Sequence, residues 1–497
     1  MSIESDLEIV NKYQKEIKLI SMTINLLEWD QQTHMPSKGS KTRGEKMALF
    51  SGLAHEKRNA NEFFNAVERL RKGDLKGDDK VMIERLHYDL VKARKLPKEL
   101  VEEIANVSSN AFRAWIEARE KKDFAIFRPF LKKLAELARK QAKLIGLPGH
   151  IYNSLLDDYE QGMSVEKLKP RFEELKKGLI EILRKIESTK EYKEQKEILL
   201  KKEFSKEFQM ELAKDVVRRI GLEEVNSNIN FAEHPFMATI GKGDHRITTN
   251  IREDPLFSFC SSIHEAGHAL YELGMPQEHF YNSLGSEPSL GIHESQSRFW
   301  ENMIGLGIPF WKFYFPKFDK LFGLEENFEQ WYKETNMVWP GKIRVEADEV
   351  HYCLHIILRF ELELGLLEGS IQVKDLPELW NKKMKEYFGV NIENDKEGVL
   401  QDIHWSHGGF GYFSTYALGS IYAAQLYRKM KTEIPGIENE IEKGEFSEIG
   451  KWLKEKVHKH GKKHLAEDLI KNICGEGLNI KVYLEYLDKK YKGIYKY

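Results

Sequence analysis

The chain has 497 residues, 41% of them hydrophobic and 31% charged, enough apolar material for one large core or two or three ordinary ones. Its 77 Lys and Arg against 79 Asp and Glu leave a net charge of -2, which excludes a global basic field for nucleic acid. Three cysteines, Cys260, Cys353 and Cys474, are too few and too scattered for a disulfide framework.

The opening stretch MSIESDLEIVNKYQKEIKLI mixes acidic and basic residues throughout and has no uninterrupted apolar run for a signal peptide, so a cytoplasmic location is expected. Residues 1–72 read as two or three long helices around the break Met35-Pro36-Ser37-Lys38-Gly39, followed by a polar loop from Lys72 to Asp79. From Glu166 to Phe208, Lys and Glu alternate, with pairs such as Glu197 and Lys201 at helix spacing; mixed signs favour solvated helix faces over a charged partner surface. Between Asn226 and Asn250, β-branched and aromatic residues flank Gly241-Lys242-Gly243 and predict a short β-hairpin or short sheet. The most apolar later window, starting at His351, is broken by Arg359, Glu361 and Glu363 and cannot span a bilayer. No repeat or low-complexity tract interrupts the pattern. The expected fold is mainly α, a single unit over 1–497 with two lobes about a groove: a helical wall or cap over 1–205 and a lobe with the chemistry over 206–497.

That chemistry centres on SSIHEAGHALYELG, Ser261 to Gly274. Phe259, Ile263, Ala266, Ala269, Leu270 and Leu273 suit one amphipathic helix, with Gly274 expected as its left-handed terminator. His264 and His268 then share a face one turn apart, spaced to hold one metal ion. Glu265 sits about 100° around the helix, poorly aimed as a ligand but placed to take a proton from water. A third ligand must come from elsewhere, because Glu272 lies two further turns along from His264, about 12 Å away. Glu287, Glu294 and Glu301 are all candidates on spacing, and Cys260, one turn before His264, is a thiolate alternative that a closed structural site would use. A second pair, His351 and His355, lacks an adjacent glutamate and reads as core or supporting structure.

Further motifs occur in order: WDQQTHMP at Trp29, HPF at His234, DHRIT at Asp244, HEAGH at His264, HESQ at His293, IRVEAD at Ile343 and GVLQDIHW at Gly398. With these the chain resembles the thermostable carboxypeptidase Taq family of metallocarboxypeptidases along nearly its whole length. The resemblance implies a helical fold akin to angiotensin-converting enzyme and the neurolysin-like oligopeptidases, with a long groove. It implies zinc, replaceable by cobalt, held by His264, His268 and Glu294, and it implies a homodimer acting on short peptides or unfolded C-termini, with no nucleic-acid or membrane partner. In the neurolysin-like relatives a His and a Tyr twelve residues apart donate to the oxyanion, a spacing that His404 and Tyr416 reproduce, with Tyr412 as a rival and His407 nearby. A carboxypeptidase also needs a guanidinium for the free C-terminal carboxylate. Arg344 is preferred over Arg246, although either could serve Asp348 or Asp244 instead. His234 and Gln401 are expected along the groove, and Asp402 as the partner of an imidazole. Two other readings stand beside this one. An endo-oligopeptidase would share the metal chemistry and lack the carboxylate anchor; a zinc-stapled scaffold would add a fourth protein ligand such as Cys260.

Overall fold

The computed structural model describes residues 2–195, 205–252, 254–324 and 326–497, so the expected Glu197–Lys201 pair lies outside the described residues. Three helices open the chain, Ile3–Thr33, Ser40–Asn59 and Asn61–Lys72. The polar segment after them is shorter than expected, because the next helix starts at Gly77. These helices and Gly77–Arg94 enclose a small core of their own, with Val10, Phe63, Val67, Met82 and Leu90. A much larger core runs from Ala111 to Tyr495 and takes residues from both sides of residue 205. Its axis is the helix Glu349–Glu368, buried along nearly its whole length. No helix among the described residues is long and apolar enough to cross a membrane.

The segment expected as a hairpin or short sheet is a three-stranded sheet, β1 Ser227–Phe231, β2 Met237–Gly241 and β3 Asp244–Thr249. β2 and β3 form the expected antiparallel hairpin, turning at Gly243 with a φ of 75° that favours glycine. The addition is β1, which pairs parallel with β3 and leaves β3 central. Along β1, Asn228 and Asn230 alternate with Ile229 and Phe231. β2 is an edge strand, and the first helix covers it: Asn25 donates to the Thr239 carbonyl at 3.0 Å.

The helix Pro255–Gly274, hereafter the histidine helix, is capped by Asp254, whose carboxylate accepts from the Leu256 N–H at 2.9 Å, with Pro255 at its first position. Its end differs from the expectation. Gly274 has no left-handed conformation; Met275 turns extended instead, as the residue before Pro276 must. Gly274 is small for another reason: a Cβ there would meet His458 Nδ1 at 2.2 Å. The partner helix, Leu290–Arg298, starts at Ser289, whose hydroxyl accepts from Ile292, while the buried Glu160 accepts from the Gly291 N–H at 3.1 Å.

These two helices touch backbone to backbone. A Cβ on Gly267 would stand 2.7 Å from Ser297 Cα and 2.8 Å from the Gln296 carbonyl oxygen, neither of which can swing aside. Gly267→Ala is therefore expected to lower stability by about 1–3 kcal/mol, the usual cost of overpacking, measurable by denaturant unfolding.

Candidate metal and catalytic site

His264 and His268 project from one face of the histidine helix, and Glu294 reaches them from Leu290–Arg298. Their donor atoms all lie within 4.8 Å of one another. Glu294 Oε2 stands 3.6 Å from His264 Nε2 and 3.5 Å from His268 Nε2. Those gaps are long for hydrogen bonds and match two ligands of one tetrahedral zinc, each about 2.0–2.2 Å from it and so roughly 3.4 Å apart. The carboxylates fit a dication as well, since Glu294 and Glu301 share one guanidinium, Arg298, and Glu265 stands near both of them. Cys260 is not part of this group, and burial holds its thiol well above the ordinary value. Glu287 and Glu301 are not part of it either.

Glu301 stands behind the metal face instead. It bonds His264 Nδ1 at 2.7 Å, which turns Nε2 inward, the usual carboxylate support of a ligating imidazole. It sits in a π-helical turn, Phe299–Gly305, directly after the helix that carries Glu294; such turns concentrate at functional sites. Arg298, four residues after Glu294, donates from Nε to Glu294 at 2.8 Å and from Nη1 to Glu301 at 3.2 Å. Burial alone would lower the His264 pKa; Glu294 and Glu301 outweigh it and raise the value to about 9. For Glu294 burial works upward, and Arg298 and His264 hold it well below the carboxylate range.

His268 lacks such a carboxylate. Its Nδ1 has no hydrogen-bond partner among the described residues, and the ring stacks on His293 at 4.4 Å. Burial and the neighbouring His293 pull its pKa down to about 4, suiting a neutral ligand. His293 in turn bonds Glu272 at 3.2 Å, and Glu272 accepts from Thr239 on β2 at 2.6 Å. Glu265 is 8% exposed, and its carboxyl makes no hydrogen bond among the described residues; burial pushes it up to about 7.

A second cluster lies beyond Arg298, whose guanidinium stacks on Tyr352 at 4.1 Å. The Tyr352 hydroxyl is 3.4 Å from Arg344, and Arg344 lies over the Tyr416 ring at 4.9 Å. His404 Nε2 and the Tyr416 hydroxyl are 3.1 Å apart, and the Tyr412 ring packs against both. Burial first, then Arg344 and Arg359, lower the His404 pKa to about 3, so its imidazole is neutral. Asp402 corrects one expectation. It lies 4.0 Å from His404 Nδ1, beyond a hydrogen bond, and binds Arg344 Nε at 2.9 Å and Arg359 Nε at 2.6 Å. Gln401 is spent in the framework rather than along the groove: its oxygen accepts from the Arg344 N–H and from Arg359, and its amide donates to Lys342 and Glu397. Arg246 forms a paired contact with Asp244 two residues away and lies over Trp29. His234 is exposed between β1 and β2, and His407 stacks on Phe112. Asp348 caps the helix Glu349–Glu368 and bonds His351, while His355 bonds the Gly341 carbonyl, so this second histidine pair serves the framework.

The loop bearing His404 and Tyr412 rests on Glu363, absent from the motif reading. This fully buried carboxylate accepts from Trp405 Nε1 at 2.8 Å, the Tyr152 hydroxyl at 2.7 Å and the Gly411 N–H at 3.0 Å. Glu363→Gln places an NH₂ among three donors, so a loss of about 1–3 kcal/mol is expected. Burial pushes Glu363 to about 7 in the fold, above its ordinary 4.5. Its titration therefore favours the folded state at low pH, and this contribution disappears as pH rises through about 7. The stability gap between wild type and variant is expected to narrow between about pH 5 and about pH 8 in thermal unfolding curves.

The family model for carboxypeptidase Taq (M32) metallopeptidase matches residues 9–491. This chain belongs to that family. The M32 carboxypeptidase is 36% identical to thermostable carboxypeptidase 1 of Thermus thermophilus, over the full length of both chains. It is 36% identical to carboxypeptidase 1 of Bacillus subtilis, covering 97% of each. The apo-Mg structure of Pyrococcus furiosus carboxypeptidase superposes with a TM-score of 0.94 at 34% identity, covering 99% of both chains. His264, His268 and Glu294, with Glu265 next to the first of them, are the candidate metal group of this metallopeptidase.

Proposed function

We propose that this M32 carboxypeptidase holds zinc, replaceable by cobalt, between His264, His268 and Glu294, and removes residues one at a time from free peptide C-termini. The observation that carries the reading is the triplet of donors at ligand spacing with the unpartnered Glu265 beside it. When bound, the ion lowers the pKa of water toward neutrality and polarises the scissile carbonyl. Glu265 takes the proton from the attacking water and passes it to the departing amine. Tyr416, backed by His404, donates to the developing oxyanion, with Tyr412 packed on both. Arg344 receives the substrate carboxylate. Its Nε is committed to Asp402, which fixes the plane of the guanidinium. Arg246 is the lesser candidate because Asp244 already holds its Nε–Nη2 edge. His234 and His407, both exposed, contribute to the walls of the groove.

Three free cysteines support a cytoplasmic location, and the family resemblance supports a homodimer, which light scattering checks. The functional test is incubation with a blocked dipeptide and its C-terminal amide, with and without chelator, followed by mass analysis. Release of the C-terminal residue from the acid alone, abolished by chelation and restored by zinc or cobalt, is expected. Equal cleavage of the amide makes the enzyme an endo-oligopeptidase.

A further inference from the structure

Between the helix Ile3–Thr33 and the edge strand β2 lies a cavity of about 340 Å³. Glu272 and Thr239 line it, and both belong to the contact chain that runs through His293 and His268 to Glu294. From Glu294 the same chain continues the other way, through Arg298 and Tyr352, to Arg344. The cavity and Arg344 are thus the two ends of one run of side-chain contacts that passes through the metal group. On the proposed function, on which this inference rests, Arg344 takes the C-terminal carboxylate. The residues upstream of the scissile bond then leave the metal toward the cavity.

Its lining is selective. Met22, Phe236 and Met237 supply apolar surface, and Glu28 and Glu287 face the space without a hydrogen bond or ion pair among the described residues. Glu272, by contrast, is satisfied by His293 and Thr239. Lys18, the cation of the lining, rests over the Phe280 ring at 5.7 Å. Partial desolvation pushes the Glu28 carboxyl above its ordinary value, as expected of an acid with no counter-charge. An aliphatic stem ending in a cation matches apolar walls with unpaired carboxylates.

We propose that this cavity receives the side chain of a residue upstream of the scissile bond and selects lysine or arginine there, through Glu28 and Glu287. The test uses blocked tripeptides with one common C-terminal residue, carrying lysine or norleucine at the penultimate or the preceding position. The lysine peptide is expected to exceed the norleucine peptide in kcat/KM by roughly 10-fold at one of these positions, with the advantage falling as salt rises. Glu28→Gln and Glu287→Gln each lower that ratio. Lys18→Met raises it, a change that misfolding does not produce. Equal rates for lysine and norleucine at both positions, or a ratio unmoved by both glutamine variants, overturns the inference. Failure of the wild type to release the C-terminal residue from any of these peptides overturns the proposed function instead.

Discussion

Glu265→Gln is expected to lower kcat by at least ~10²-fold while leaving the fold and the metal content intact, since general base catalysis typically contributes ~10²–10⁴. The side chain is almost fully buried, makes no hydrogen bond among the described residues and so props up nothing by its charge. Glutamine fills the same volume. What it lacks is a carboxylate able to accept the proton of water and return it. Steady-state rates and metal analysis on the same preparation check the outcome. Activity within tenfold of wild type would assign the base elsewhere.

The second large effect is expected at Glu294. After chelation, added zinc should raise the unfolding temperature of the wild type, with stabilisation of about 4 kcal/mol when the ion is at 1,000 times its Kd. Glu294→Gln should remove most of that rise together with the activity. It replaces one of three carboxylates with a neutral amide and so weakens the demand for a dication. Arg298 keeps Glu301 as a partner at 3.2 Å, so the variant is expected to fold. Gly419 makes the position unforgiving: a Cβ there would meet Glu294 Cγ at 2.5 Å, so the carboxylate is seated by close packing as well as by charge. Thermal unfolding with and without zinc reads both effects, and an undiminished zinc-dependent shift in the variant would remove Glu294 from the ligand set.

Local patterns were the most legible part of the chain. The helix carrying His264 and His268 follows from apolar spacing, and the role of Glu265 from its angle around that helix. The turn at Gly243 was legible from its glycines. Glu294, Glu287 and Glu301 were equal on spacing, because the contact between Gly267 and Ser297 that brings one of them to the histidines is tertiary. Family resemblance supplied that choice. Arg298 stands one helical turn after Glu294, a signal available but unused. Glu363 and the Asp402 bridge between Arg344 and Arg359 carry no local signal; their partners converge from distant segments, so the burial that makes them matter is invisible in one dimension.

The main-chain contact at Gly267 has a wider consequence. Because the helices that carry His264, His268 and Glu294 meet through backbone atoms, the spacing of these three donors is insulated from side-chain changes elsewhere. On the reading proposed above, the residues of the first helix and of the sheet edge that line the cavity are then free to diverge, so that relatives with different peptide preferences keep the same donor triplet.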